Sequence, residues 1–151
     1  MDMITKLPFS WDFDLILVEI DLLRKLTHFI PCNKSSLSPV LAWLFRKNIF
    51  RLHGLEKIVS DRGSTFLSEF CKALLISLNI KAGLSMAYHP QTDGQAERIN
   101  QMVEDYLWHF CSYYQENWDS CLDFAEFATN NQDSASLKVS PFFFLQPPPP
   151  L

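Results

Sequence analysis

The sequence predicts a layered α/β domain, in which strand-like apolar runs alternate with amphipathic helical patterns. The run Leu15-Ile16-Leu17-Val18-Glu19-Ile20-Asp21 is almost continuously apolar and contains β-branched residues, which is typical of a central strand. Within 65–78, apolar residues recur four positions apart, which is the spacing of one helix face. Strands and helices in this arrangement pack as a sheet covered by helices.

The first half of the chain contains three further strand signals and one helix. Met3-Ile4 is strand-like, residues 9–14 form a predicted turn, and His28-Phe29-Ile30 is the predicted neighbour of the central strand. Helix-start residues at 36–39 precede a helical pattern that His53-Gly54 terminates. Lys57-Ile58-Val59-Ser60 is a short buried strand.

The second half adds three helices and one strand. The predicted helices cover 65–78, 95 to about 114, and 121–130, and the predicted strand covers 80–87. On the long helix, an apolar stripe is expected at Ile99, Met102, Tyr106, Phe110 and Tyr113. At about 100° per residue, Glu97 lies about 200° from Ile99 and should point away from that stripe.

Length and composition indicate one globular domain. The chain has 151 residues, of which 48% are hydrophobic, enough for a core. The apolar runs are too short to cross a bilayer, and no secretory signal pattern opens the chain. The four cysteines include no Cys-x-x-Cys pair and the histidines are scattered, so reduced thiols are expected and zinc is not.

Two acidic residues are candidate ligands for a hard cation. Asp61 follows the predicted strand at 57–60, Glu97 follows a turn-rich stretch at 88–94, and 35 residues separate them. Mg²⁺ prefers carboxylate oxygens together with phosphate. Taken alone, Asp61 could be a turn aspartate, and Glu97 could be a solvated acid that complements the helix dipole.

Several short motifs carry a resemblance to a known family. They are Met1-Asp2-Met3-Ile4-Thr5-Lys6-Leu7-Pro8, Thr27-His28-Phe29-Ile30-Pro31, Phe50-Arg51-Leu52-His53-Gly54, Ile58-Val59-Ser60-Asp61-Arg62-Gly63, the segment from His89 to Glu97, and Ala125-Glu126-Phe127-Ala128. In these motifs and their order, residues 2 to about 142 resemble the integrase catalytic core of Ty3/gypsy-like long-terminal-repeat retrotransposons, which belong to the retroviral integrase superfamily.

The resemblance implies a fold and a chemistry. The implied fold is ribonuclease-H-like, a five-stranded mixed sheet flanked by helices on both faces. The implied catalytic and metal-binding triad is Asp2, Asp61 and Glu97, holding two Mg²⁺ or Mn²⁺ ions. Asp21 rivals Asp2 by position but does not match the first acid of the family. The implied reactions are 3′-end processing and strand transfer, the two steps of DNA integration.

The resemblance also indicates candidate DNA contacts near the acids: Arg62, Tyr88, His89, Gln91 and Arg98. His89 and Gln91 could position DNA or water, or only shape their loop. Tyr88 could stack on a base or pack internally. Arg62 and Arg98 could bind phosphate or balance the neighbouring acids.

The charge of the chain keeps a second function open. The net charge is −4, no Lys/Arg cluster exceeds two residues, and nucleic-acid binders usually present a basic face. The alternative is a catalytically impaired, integrase-derived module that binds nucleic acid or protein. A generic ribonuclease-H-like nuclease ranks third, because the motif around His89 and Gly94 is specific to integrases.

The remaining expectations concern partners, location and boundaries. The expected partners are the DNA of the element ends and target, and a second copy of the chain in a homodimer; no membrane is expected. The family function implies the nucleus. We expect an N-terminally truncated catalytic core at 1–142 and an irregular tail at 143–151. The four prolines of that tail favour polyproline II, and could be an SH3-type ligand or a frayed end.

Overall fold

The structure is a computed structural model that describes residues 1–36, 38–54, 57–60, 64–79, 85–88, 94–111 and 116–145. Its strands are β1 (Asp2–Ile4), β2 (Leu15–Ile20), β3 (Thr27–Cys32), β4 (Lys57–Ser60) and β5 (Ser85–Tyr88). Its α-helices are α1 (Ser38–Phe45), α2 (Arg51–His53), α3 (Ser64–Leu78), α4 (Gly94–Phe110) and α5 (Trp118–Asn131). A π-helical segment, Arg46–Phe50, joins α1 to α2, and a 3₁₀ helix spans Pro141–Leu145.

The first three strands form an antiparallel sheet in the order β1-β2-β3. Asp2 pairs with Val18, and Glu19 pairs with His28. The turn between β2 and β3 is held by Asp21, whose Oδ1 accepts hydrogen bonds from the backbone N–H groups of Leu23 (2.8 Å) and Arg24 (3.0 Å). Apolar β-branched residues in β2 therefore occupy the middle of this sheet, as the sequence predicts.

The prediction of one five-stranded mixed sheet is confirmed only in part. In the described part of the chain, β4 and β5 form a separate parallel pair, with Val59 beside Ala87. The Met1 amino group donates to the carbonyl oxygen of Val59 at 2.9 Å, so β1 lies next to β4. A ladder needs repeated hydrogen bonds. Among the described residues, the hydrogen bond of Met1 to Val59 links the two groups of strands, but β1 and β4 form no ladder.

The antiparallel sheet separates two hydrophobic clusters, because successive side chains of a strand point to opposite faces. Leu15 and Leu17 of β2 pack with buried residues of α1 and α3. Ile16 and Val18 of the same strand pack with buried residues of α4 and α5. The domain therefore has helices on both faces of the sheet, which confirms the layered α/β prediction.

The open edge of β3 is covered by side chains of α5. Asn130 is 1% exposed, accepts a hydrogen bond from the Thr27 N–H at 2.8 Å, and donates to the Thr27 carbonyl at 2.7 Å. Glu126, one turn earlier on α5, accepts from the N–H of Phe29 at 2.8 Å. An amide side chain thus replaces the missing strand partner, which satisfies backbone groups that would otherwise be buried without partners.

The long helix departs from the predicted stripe in its second half. Ile99 is buried and Glu97 is exposed, as expected. The core positions that follow are Val103 and Leu107, which are 0% and 4% exposed, whereas Phe110 is 66% exposed. The helical period does not explain the difference, because Phe110 lies only about 20° from Ile99 around the helix axis. Phe110 is the last residue of α4, so the predicted stripe fails at the end of the helix.

The last predicted strand is described only in its second half. Of the predicted range 80–87, residues 80–84 lie outside the described residues, and β5 covers Ser85–Tyr88. Near the C-terminus, Phe142 contacts Phe127 of α5, with ring centroids 5.6 Å apart. The division at residue 142 stays a prediction. No described helix is long and apolar enough to span a membrane.

Candidate functional site

The candidate site is built on the contact between β1 and α4. Asp2 pairs with Val18, whose side chain faces α4 and α5, so Asp2 lies on that same face of the sheet. Its Oδ2 accepts a hydrogen bond of 2.6 Å from the Nδ2 of Asn100, and its Oδ1 accepts one of 2.7 Å from the N–H of Met3. The strand therefore presents the Asp2 carboxylate directly to α4.

Glu97 lies on α4 one turn before Asn100. Residues three apart on a helix are neighbours on its surface, so Asp2, Asn100 and Glu97 belong to one region of the domain. Glu97 is exposed, and the first turn of α4 is favourable for an acid because of the helix dipole. The structure thus places Asp2 against the helix that carries Glu97.

Asp61 itself lies outside the described residues. It follows Ser60, the last residue of β4, and Ser60 is 2% exposed. The contact of Met1 with Val59 puts β1 beside β4 just before that point in the chain. Ser60, the residue before Asp61, therefore lies at the end of a strand that contacts the start of β1.

Asn100 is a site residue that the sequence reasoning missed. Its Nδ2 donates to Asp2, while its Oδ1 is buried with no hydrogen-bond partner among the described residues. Buried oxygens without partners are costly, and a cation would relieve that cost. The signal that could have found Asn100 is its position three residues after Glu97.

The donor set fits a hard divalent cation. It comprises the Asp2 carboxylate, the Glu97 carboxylate and the amide oxygen of Asn100, which are the oxygen ligands that Mg²⁺ and Mn²⁺ prefer. Within the described ranges, no group of three or more His, Cys, Asp or Glu residues is arranged to hold a metal ion. The rival acid, Asp21, uses its Oδ1 in the turn after β2.

The predicted DNA contacts fall mostly beyond the described part of the chain. Arg62, His89 and Gln91 lie outside the described residues, and Tyr88 is described only as the backbone end of β5. Arg98 is described, and it is exposed on α4 next to Glu97. Contact with DNA stays a prediction for Arg98 and for the other four residues.

Two of the four cysteines lie in the core. All four are free thiols; Cys32 and Cys71 are buried, and Cys111 and Cys121 are half-buried. Burial raises the pKa of Cys32 to about 12 and that of Cys71 to about 11. The thiols of Cys32 and Cys71 are therefore protonated at neutral pH, whereas a metal ligand must be a thiolate.

The chain is similar over most of its length to polyproteins of retrotransposons. It is 32% identical over 143 residues to the transposon Tf2-3 and Tf2-4 polyproteins of Schizosaccharomyces pombe, a match that covers 94% of this chain. The chain spans only 11% of the length of each of these relatives. No protein-family model matches the chain.

Solved structures of integrases share its fold. The HTLV-2 integrase catalytic core domain, in complex with magnesium in its trimeric form, superposes with a TM-score of 0.64 at 17% identity, covering 94% of this chain and 92% of that one. The intasome of simian T-cell lymphotropic virus, in complex with the PP2A regulatory subunit B56 gamma, gives 0.69 at 18% identity, covering 98% and 54%.

The fold defines the class, a ribonuclease-H-like domain with the fold of the integrase catalytic cores. The similarity to the Tf2 polyproteins identifies the family within this class. The chain belongs to the integrase catalytic cores of Ty3/gypsy-like long-terminal-repeat retrotransposons.

Proposed function

We propose that the chain is the catalytic core of a metal-dependent integrase that processes the 3′ ends of retroelement DNA and transfers them to target DNA. The observation that carries the proposal is the docking of Asp2 on α4 through Asn100, one turn from Glu97. A catalytic acid on a strand is thereby held against the helix that bears another. The hydrogen bond joins residues 98 positions apart, so it depends on the tertiary fold.

In this proposal, the side chains of Asp2, Asp61 and Glu97 would hold two Mg²⁺ or Mn²⁺ ions. Bound there, the metal would supply activation of the attacking oxygen and charge stabilisation of the leaving 3′ oxygen. Asn100 orients Asp2 by donating to its Oδ2, which leaves the other lone pairs of the carboxylate available. Arg98, exposed beside Glu97, is suited to contact a DNA phosphate.

The other proposed DNA contacts are Arg62, Tyr88, His89 and Gln91, which flank Asp61 or precede α4 in sequence. A continuous five-stranded mixed sheet is proposed for the complete core, because Met1 already joins β1 to β4. The proposed partners are the DNA of the element ends, target DNA and a second copy of the chain. Chromosomal targets make the nucleus the proposed place of action.

The test is metal-dependent stabilisation of the folded chain. An ion that binds the folded state alone raises the melting temperature through linkage. Millimolar Mn²⁺ should raise it in the wild type, whereas Asp61→Asn and Glu97→Gln should remove the increase. Asp123→Asn, an exposed acid on α5, is the matched control and should keep it. A wild-type melting temperature that does not respond to millimolar Mn²⁺ contradicts the proposal.

Large exposed apolar side chains favour the second candidate, a contact module with impaired catalysis. Phe124 and Phe127, three residues apart on one face of α5, are 67% and 59% exposed. Adjacent exposed apolar side chains mark contact surfaces in soluble proteins. A chain that dimerises in ultracentrifugation, and loses the dimer on Phe124→Glu, while showing no Mn²⁺ response, would favour this candidate over the enzyme.

A further inference from the structure

Three of the motifs that carry the resemblance meet at one point of the fold, away from the candidate metal site. His28 lies on β3, His53 ends α2, and Glu126 lies on α5. His28 Nδ1 is 3.0 Å from Glu126 Oε1, and His28 Nε2 is 2.8 Å from His53 Nε2. We call this chain of contacts the histidine relay. Its two contacts join residues that are 98 and 25 positions apart in sequence, so the relay depends on the tertiary fold.

The contacts limit where the protons of the relay lie. Glu126 accepts from Phe29 N–H through Oε2 and is placed to accept from His28 Nδ1–H through Oε1. One proton lies between the two Nε2 atoms, since two facing N–H groups could not approach to 2.8 Å. We assign this proton to His53, because that tautomer leaves a lone pair rather than an N–H at the buried His53 Nδ1, which has no partner among the described residues.

The electrostatic surroundings favour a neutral His53. Burial first, and then the proximity of His28, lower the pKa of His53 below its ordinary value. The charge of Asp21 raises the pKa of His53, and the charge of Arg24 lowers it. Glu19 and Glu126 are the acids that interact with His28. If both rings were protonated, two Nε2–H donors would face each other, and the 2.8 Å contact would break.

A hydrogen bond explains the paired rings better than a shared metal ion. A separation of 2.8 Å between the two Nε2 atoms is normal for a direct hydrogen bond. Among the described residues, no third His, Cys, Asp or Glu completes a metal-binding group with them. The rings also line a cavity of about 440 Å³ together with Glu19 and Asp21, so the relay forms part of its wall.

His53 lies close to the start of β4 in sequence, so the relay can affect the position of that strand. Gly54 follows with a φ of +67°, a conformation that favours glycine, and only two residues then precede β4. Through Val59, β4 accepts the hydrogen bond from Met1, and Asp61 comes directly after the strand. Fixing His53 against β3 therefore limits how far the start of β4 can move, because so few residues separate the two.

We infer that Glu126, His28 and His53 are positioning residues: the histidine relay sets the start of β4 and, through that strand, the candidate metal ligand Asp61. The second part of this inference rests on the proposed function. The relay touches no reacting atom and acts only through the placement of β4. A small displacement of a catalytic group costs large factors in rate, so such a contact affects activity at a distance.

The test compares two substitutions of one residue with a matched control. His53→Phe keeps a planar ring but removes the donor to His28. His53→Gln restores an N–H donor. His109→Phe alters an exposed histidine on α4 that does not touch the relay. The readouts are amide hydrogen exchange of peptides covering β4 and β2, and the Mn²⁺ concentration that gives half of the maximal rise in melting temperature.

His53→Phe should speed exchange in β4 about tenfold, the effect of one lost hydrogen bond, and leave β2 unchanged. The half-maximal Mn²⁺ concentration should rise by a similar factor. His53→Gln should recover most of both effects, and His109→Phe should resemble the wild type. A merely structural role would speed β2 and β4 alike and would leave the Mn²⁺ concentration unchanged.

The inference is overturned if His53→Phe leaves exchange in β4 unchanged, if His53→Gln is as impaired as His53→Phe, or if one equivalent of Zn²⁺ binds the wild type and not His53→Gln. A wild type that shows no Mn²⁺ response contradicts the proposed function instead, and with it the link to Asp61. Exchange in β4 then decides by itself whether the relay holds the strand.

Discussion

Glu19 is a carboxylic acid enclosed within the fold, and its burial changes its protonation. It lies on β2, 8% exposed, with its Oε2 3.7 Å from the Met1 amino group and its Oε1 unpartnered among the described residues. Burial raises the pKa of Glu19 from 4.5 to about 6, although the nearby amino group opposes the shift. The folded protein therefore binds this proton more tightly than the unfolded chain does.

Glu19→Gln should remove a pH dependence of stability. Because the folded pKa is raised, the contribution of Glu19 is fully present below pH 4.5 and is lost as the pH rises through about 6. The shift corresponds to about 2 kcal/mol of unfolding free energy. Denaturant unfolding between pH 4 and 7 should show the wild type losing about this much relative to the variant. Parallel pH profiles for the two proteins would contradict the expectation.

Asn100→Ala should weaken the response to Mn²⁺ more than it weakens the fold. The substitution removes the donor to Asp2 and the buried amide oxygen. Loss of a group that orients a metal ligand typically costs between about 10-fold and 100-fold in affinity. Metal titrations followed by melting temperature measure this, with the neighbouring exposed residue changed in Gln101→Ala as the control. Equal Mn²⁺ affinities in the wild type and Asn100→Ala would exclude a role for Asn100.

At the scale of elements, α5 seals the edge of the antiparallel sheet. Asn130 pairs with both backbone groups of Thr27, and Glu126 pairs with Phe29. An exposed sheet edge is a template for aggregation, and covering it with a helix removes that hazard. The helix thus completes the hydrogen bonding of β3 in addition to packing on its face.

Asn130→Ala should destabilise the domain and promote its association. Two buried hydrogen bonds are lost, and the N–H and carbonyl of Thr27 are left unsatisfied, at an expected cost of about 2–4 kcal/mol. Asn131→Ala, the adjacent exposed residue, should stay within about 0.5 kcal/mol of the wild type. Urea unfolding measures the first effect, and light scattering of the variant at moderate temperature measures the second. Equal stability of Asn130→Ala and Asn131→Ala would refute the role of Asn130 as an edge partner.

At the scale of the whole molecule, the net charge and the short first strand are both unfavourable for the proposed strand transfer. The net charge is −4, and α4 carries Gln101, Glu104 and Asp105 after Glu97 rather than lysines. Affinity for DNA comes largely from Lys and Arg side chains that neutralise phosphates, so this chain should bind DNA weakly. In addition, β1 has three residues, and the ends of short strands fray.

The isolated chain should therefore be a poor strand-transfer enzyme. The assay is Mn²⁺-dependent disintegration of a branched DNA, the reverse of strand transfer. Strand-forming residues added before Met1 should increase turnover by holding Asp2 between neighbours, and Asp61→Asn should abolish it. Rapid turnover by the chain as it stands would refute the expected impairment, and turnover that survives Asp61→Asn would point to a contaminating nuclease.

Much of the architecture followed from local patterns. The central strand, the helix ending at His53-Gly54 and the layered α/β class could be predicted because side-chain periodicity is local and the structure repeats it. The apolar stripe of α4 was wrong at Phe110, the last residue of the helix, because helical periodicity gives the direction of a side chain but only packing shows where the core ends. The single five-stranded sheet was likewise only partly found, since pairing between strands is not local.

The sequence by itself determined the family, through short motifs in a fixed order, and it identified Asp2, Asp61 and Glu97 as the candidate acids. Only the tertiary structure decided that Asp2 meets α4 through Asn100, that Asn130 completes the edge of β3, and that three motif residues join in the histidine relay. The physical reason is that these are hydrogen bonds between polar side chains far apart in sequence. A periodic pattern records which residues face the core, but it does not record which distant polar groups the core brings together.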